Sequence, residues 1–377
     1  MRVDMPDNRA IFFPGLNGLR AIAALAVVLS HTTVYLGEFN LNPHIIGTLA
    51  NGNPKGIDLS DFAVSIFFAL SGFLITYLLL VEDRAGEINI KNFYIRRILR
   101  IWPLYYLYFI IALFFINIRG IHHPNYTNYF YIFFTANVPK ILQEKSDLLG
   151  HYWSLGVEEQ FYLFWPWVVK TWIKKLNIIA ILFIIVLIAI KIIAHLNFPE
   201  TYFEETMYTN RFDCMLIGAM GALLFFQNNE LFIKFSTHIL TQIAAWAAIF
   251  LALINKFHIA NILNHEFMSI ATVLLIIGQI KSKNKIINLD RGIFEFLGKI
   301  SYGIYVIHPL IIFGLARVFL LFLGEPTVLH YILAYTGVTG LTILVSHVSY
   351  RYMEKPFLKL KSRFTTVKSM SSKQNGI

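Results

Sequence analysis

Ten stretches of predominantly apolar residues divide this chain: 16–36, 62–81, 98–117, 155–173, 177–195, 212–227, 239–254, 267–280, 299–322 and 329–353. No other feature of the sequence narrows the possible folds so far. An α-helix needs about 20 such residues to cross the hydrocarbon of a bilayer, and there it must satisfy its own backbone hydrogen bonds. A water-soluble core has no room for this much apolar surface: 56% of the 377 residues are hydrophobic and 14% charged, with 34 Phe and 19 Tyr. The same composition excludes a disordered, collagen-like or small disulfide-stapled chain. Cys214 is the single cysteine, which rules out an internal disulfide and a cysteine-rich metal site. The expected fold is all-α, a polytopic membrane helical bundle with ten transmembrane helices.

Charge supplies the orientation. With the N-terminus in the cytoplasm, 24 of the 32 Lys and Arg fall on the cytoplasmic side and 8 on the other. Basic residues gather in cytoplasmic loops, and an even number of spans then puts both termini inside. The net charge of +10 therefore reads as this bias, and nucleic acid is not an expected partner. The first stretch follows polar residues and has no small-residue cleavage site, so it reads as a retained helix. Residues 1–360 read as one membrane domain and 361–377 as a polar cytoplasmic tail, expected to be disordered. Segments 37–61 and 117–153 are long enough to cover the outer face.

Ionisable residues inside apolar spans are costly and therefore mark functional candidates. Arg20 and His31 on the first stretch lie eleven positions apart. At 100° per residue that is about 20° beyond three full turns, so both occupy one face, roughly 16 Å apart along the axis. The structural reading is a snorkelling arginine and a hydrogen-bonded core histidine; the shared face favours function. Where the third stretch enters from the cytoplasm stand Arg96, Arg97 and Arg100. Arg97 and Arg100 are i, i+3 neighbours and can grip phosphate together, against the plainer reading of positive-inside anchoring. Glu158 and Glu159 open the fourth stretch at a depth expected to match His31. One of them would face it and orient its ring, the structural alternative being a hydrogen-bonding cluster. Tyr302, Tyr305 and His308 follow at i, i+3, i+6 before Pro309. Arg211 and Asp213 could pair at a helix start, and Glu354 could pair with a loop arginine. Structural roles are the first expectation for these last groups.

Several chemistries lack their signatures: no GxSxG, P-loop, GxGxxG, HExxH or His-x4-Asp occurs. His122 and His123 alone are too little for a metal site, and none is expected.

The segments LNGLRAIAALAVVLSH, VSIFFALSGFLIT, FYIRRILRIWPLYYL, WSLGVEEQFYLFWP, ISYGIYVIHPL and YRYMEKPF occur in this order over about residues 12–360. In order and spacing they resemble the integral-membrane acyltransferase-3 family, which includes bacterial O-acetyltransferases of O-antigen, exopolysaccharide and Nod factor. The resemblance implies a ten-helix bundle in the bacterial inner membrane. It implies transfer of an acyl group, acetyl first of all, from cytoplasmic acyl-CoA to a carbohydrate hydroxyl. The acyl-CoA is a substrate, and no tightly bound cofactor is expected. The family's Arg-x10-His motif falls on Arg20 and His31, its RxxR motif on Arg97 and Arg100, and its SLxxEEQFYL block on Ser154 to Leu163. Asn17 stands where the family's LDGLRA has Asp. Some members carry a fused extracytoplasmic SGNH domain; this sequence has none, so the acceptor, a surface glycan or a lipid-linked one, would be served by the membrane domain or by a separate extracytoplasmic transferase.

The expected mechanism has Arg20, Arg97 and Arg100 holding the CoA phosphates at the inner face. The pantetheine arm threads up toward His31, which acts as general base on the acceptor hydroxyl in preference to forming an acyl-imidazole. Asn17, Tyr302, Tyr305, His308 and Glu354 are the supporting candidates. Other readings are transfer of succinyl or another acyl group, an amine acceptor, a membrane transporter, or a non-catalytic membrane scaffold. A transporter of this size would be recognised by inverted repeats with broken helices, and no repeat stands out.

Overall fold

The computed structural model describes residues 12–48, 52, 54–120, 123–144, 146–259, 261–282, 285–322 and 327–364, all helix, turn and loop without a β-strand. The first half comprises α1 (Leu16–Val34), α2 (Ile57–Arg84), α3 (Ile90–Arg119), the short α4 (Thr127–Ile132) and α5 (Asn137–Ile141), then α6 (Trp153–Trp172), α7 (Leu176–Asn197) and α8 (Tyr202–Asn210). The second half comprises α9 (Phe212–Phe226), α10 (Glu230–Thr237), α11 (Ile239–Leu253), α12 (Asn264–Lys281), α13 (Gly292–Lys299), α14 (Ser301–Phe322), α15 (Val328–Ser349) and α16 (Lys355–Lys361). A π-helical turn, Tyr350–Glu354, joins α15 to α16.

Among the described residues six helical runs are long and apolar enough to cross a membrane, or seven if Tyr202–Phe226 and Glu230–Thr237, bent by 114°, form one broken span. The ten expected stretches are all helical, but they do not all qualify. Stretches 155–173 and 177–195 fall in one helical run, Gly150–Asn197, interrupted by a 3₁₀ turn over Ile173–Lys175. The stretches at 212–227 and 239–254 become α9 and α11, of 15 residues each. At 1.5 Å per residue each rises about 22 Å, short of a hydrocarbon core of about 30 Å.

The distribution of side chains is that of a chain solvated by lipid. α7 exposes Ile178, Ile181, Leu182 and Ile185, while Ser65, Thr76, Lys191, Asp213 and Glu266 are buried. α2 runs through the middle, against α1, α6, α9 and α12. Its contact with α9 is made backbone to backbone: a Cβ on Gly72 would lie 1.9 Å from the Met215 carbonyl oxygen, and one on Gly218 would lie 2.1 Å from that of Ala69. Small residues permit such an approach, which lets dispersion hold helices together where lipid offers no hydrophobic drive.

Segment 117–153 folds back onto α3. Three tyrosines of that helix donate into it: Tyr105 to the Tyr131 carbonyl (2.7 Å), Tyr106 to that of Ile132 (2.9 Å) and Tyr108 to that of Leu148 (2.8 Å). Of the tail expected from 361 onward, only residues 361–364 are among the described residues. α16 includes Lys361, a turn continues to Phe364, and the remaining tail lies outside the described residues.

Candidate active site

A cavity of about 270 Å³ runs lengthwise between α1, α2, α3, α6 and α14. It touches α2 from Val64 to Leu78, fourteen positions, or roughly 21 Å along that helix. A volume that small spread over that length is a narrow slot. Arg20, Arg97, Arg100 and Lys361 line one end, Ser71 and Glu158 the middle, and Ser154 and Tyr305 the other end.

The arginine end is built by the starts of α1 and α3. Asn89 caps α3, accepting from the Asn92 backbone N–H (2.9 Å), and fixes the phase that sends Arg97 and Arg100 into the slot. Arg96 points elsewhere: it pairs with Glu82 at 2.5 Å and donates to the Phe364 carbonyl at 2.9 Å. Among the described residues no carboxylate comes within ion-pair distance of Arg20, Arg97 or Arg100. Arg97 Nε is buried without a hydrogen-bond partner. Three guanidiniums around one mouth repel each other, and an anion would relieve that repulsion.

Sequence reasoning puts a glutamate against His31, and the structure corrects this. Glu158 accepts from the Ser71 hydroxyl at 2.7 Å and lines the slot, while Glu159 accepts from the Trp102 indole at 3.3 Å. Neither bonds to His31. The depth was misjudged: Glu158 lies seven residues, about 10 Å of helix, beyond His151, and it is His151 that reaches the histidine level.

His31 instead meets His308, with Nδ1 and Nε2 2.7 Å apart. His308 Nδ1 lies 2.7 Å from the Tyr305 carbonyl and 3.3 Å from that of Ile304. His151, which sequence reasoning did not single out, is the third: its ring meets that of His308 edge-on at 5.4 Å, its Nε2 donates to the Val306 carbonyl (3.1 Å), and among the described residues its buried Nδ1 has no partner. Tyr305 joins cluster to slot. Its ring lines the slot, its hydroxyl takes a bond from Ser154 (2.6 Å) and donates to the His151 carbonyl (2.8 Å), and its own carbonyl faces His308. His31 itself is outside the slot, half-buried one residue layer further on.

An acyltransferase domain family matches residues 13–351. The chain belongs to the acyltransferase-3 family. It is 30% identical to "Putative O-acetyltransferase SACOL0978" of Staphylococcus aureus strain COL, over 92% of this chain and 58% of the relative. It is 29% identical to "Putative peptidoglycan O-acetyltransferase YrhL" of Bacillus subtilis strain 168, over 92% and 55%. It is 27% identical to "O-acetyltransferase OatA" of Staphylococcus aureus strain NCTC 8325 / PS 47, over 92% and 57%. The chain thus spans little more than half the length of these relatives. No solved structure matches.

The acyltransferase-3 motifs converge on the slot and the histidine cluster. Asn17, the departure from the family's Asp, lines the slot and donates its amide to Glu295 at 2.8 Å; Glu295 also pairs with Lys299 at 3.0 Å. An aspartate there would set two carboxylates against each other, so the departure is matched by its neighbour. Tyr302 lines the slot and donates to the Ile101 carbonyl (2.8 Å). Glu354 is buried in the π-helical turn with Oε1 lacking a hydrogen bond; among the described residues it forms no ion pair, and Arg100 acts on it only at longer range. The expected Arg211–Asp213 pair does not form. Arg211 takes a left-handed conformation (φ 37°) between α8 and α9 and reaches Asp61 (3.4 Å), while Asp213 turns inward to Lys191 (2.6 Å), which also bonds Glu266.

Proposed function

We propose that this chain moves an acetyl group from acyl-CoA to a hydroxyl of a cell-envelope glycan, in the bacterial inner membrane. Ten membrane crossings with both termini in the cytoplasm complete the reading: α6 and α7 count as two spans, and the short α9 (within the bent helix pair), α11 and α12 as one each.

One observation carries it: a slot roughly 21 Å long joins a mouth of arginines that form no ion pair among the described residues to the tyrosine whose carbonyl holds the histidine cluster. CoA has the matching shape, a multiply phosphorylated head and a slender pantetheine arm ending in a thioester. Its phosphates suit Arg20, Arg97 and Arg100, since charge-assisted bonds to phosphate strengthen where water is scarce. The thioester then reaches Ser154 and Tyr305. For the acyl carbon to meet His31, the Tyr305 ring moves aside, giving up its bond to Ser154.

His31 Nε2 takes the proton from the acceptor hydroxyl, the oxygen attacks the thioester carbonyl, and the collapsing intermediate expels CoA thiolate, which receives the proton from His31. Only the uncharged acetyl group changes position; CoA leaves by the mouth it entered. The relatives named as O-acetyltransferases, one of them of peptidoglycan, support a polysaccharide hydroxyl as acceptor. A separate extracytoplasmic transferase is the alternative recipient.

The test is transfer of labelled acetyl from acetyl-CoA, supplied on the arginine side of proteoliposomes holding the full chain, to glycan on the other side. Ester formed by the wild type and reduced at least about a hundredfold in His31→Gln, with acetyl-CoA binding retained, supports the reading. More than about a tenth of wild-type turnover in His31→Gln removes His31 from the chemistry.

A further inference from the structure

Pro309 follows His308 in α14 and has no N–H. In an α-helix the carbonyl of residue i accepts from the N–H of i+4, so Pro309 leaves the Tyr305 carbonyl without its helical donor. His308 Nδ1 lies 2.7 Å from that oxygen. A carbonyl can only accept, so this nitrogen carries a proton. In an apolar interior a neutral ring is the form held, which leaves His308 Nε2 as a bare lone pair. That lone pair stands 2.7 Å from His31 Nδ1, which must then be the donor.

From this chain of bonds we infer that His308 is a positioning residue: through the carbonyl vacated by Pro309 it fixes His31 as the Nδ1–H tautomer, with Nε2 unprotonated and free to take the acceptor's proton. Imidazole in water favours the other tautomer, in which Nε2–H could accept nothing. His31 Nε2 makes no hydrogen bond among the described residues, and the half-buried ring leaves it open on the side away from His308. The role usually filled by a carboxylate behind a catalytic histidine is thus filled by a peptide oxygen and a second ring. No net charge is needed, which suits a site surrounded by lipid. The inference rests on His31 as the base, but the tautomer is measurable without turnover.

The full chain, labelled with ¹⁵N-histidine and held in nanodiscs, is observed by nitrogen NMR, with His31→Gln and His308→Gln identifying the two rings. Both should be neutral with the proton on Nδ1. An Nε2–H tautomer at His31, or a doubly protonated His308, overturns the inference. Kinetically, His308→Ala should lower kcat about ten- to a hundredfold while KM for acetyl-CoA stays unchanged. His308→Gln, whose amide oxygen can accept from His31 Nδ1–H, should restore at least a third of wild-type kcat, and His308→Leu should not. Equal losses in Gln and Leu, or kcat within twofold of wild type in Ala, overturn it. If His31→Gln remains active while the NMR result holds, the tautomer relay stands and the assignment of the base falls.

Discussion

At the scale of single residues, the arginines divide by partner. Arg96 is neutralised by Glu82, whereas Arg97 and Arg100 face the slot and form no ion pair among the described residues. Arg97→Ala and Arg100→Ala should each weaken acetyl-CoA binding ten- to a hundredfold, the loss of one charge-assisted contact of about 1.5–3 kcal/mol. Isothermal titration in nanodiscs measures this, and unchanged affinity in both would leave them as membrane anchors. Asn17→Asp gives a second outcome at this scale. The new carboxylate faces Glu295, so the variant should lose thermal stability, and Glu295→Gln in the same chain should restore it. Much of this was legible beforehand. The spacing of Arg20 and His31, and of Arg97 and Arg100, reports a shared face because helical geometry alone determines it. Which side chain stands opposite is a matter of tertiary packing, and there the sequence misled. It offered Glu158 or Glu159 to His31, where His308, 277 positions away, is the partner, and it left His151 and Lys361 unmarked. A lone histidine ahead of a span and a lysine in an apparent tail carry no periodic signal.

At the scale of helices, two contacts decide whether the bundle closes. Gly72 and Gly218 let α2 and α9 touch through their backbones. Gly72→Ala and Gly218→Ala should each destabilise by roughly 1–3 kcal/mol, the usual cost of overpacking, read as a lower midpoint in detergent unfolding. A midpoint equal to wild type would mean that the helices can part at no cost. The second contact is the buried triad of Lys191 on α7, Asp213 on α9 and Glu266 on α12. Lys191→Met strands two carboxylates and should cost about 3–5 kcal/mol. Asp213→Asn leaves one ion pair intact and should cost clearly less; the reverse order would dismiss the charge argument. The sequence suggested pairing Asp213 with Arg211 at a helix start, two residues away. Asp213 and Glu266 complete the triad across 53 positions, a separation no local pattern spans. Helix existence was legible; the lengths of α9 and α11 made their membrane role less so.

At the scale of the molecule, the proposed topology is open to chemical labelling on a Cys214→Ala background, Cys214 being buried. Cysteine at Lys91 should react with an impermeant reagent only after permeabilisation, and cysteine at the exposed Tyr129 should react in intact cells. Outside labelling at position 91 would invert the whole arrangement. A further property follows from the single layer formed by Tyr305 and Ser154 at the blind end of the slot. That layer is a septum. A molecule lodged in the slot and a molecule resting on His31 never occupy the same space, so neither can exclude the other by competition. Velocity plots with the two substrates varied should give intersecting lines, and a dead-end CoA analogue should inhibit noncompetitively towards the glycan. Between turnovers the septum also keeps the lipid barrier intact. Dyes and ions trapped in vesicles should therefore stay trapped while acetyl passes.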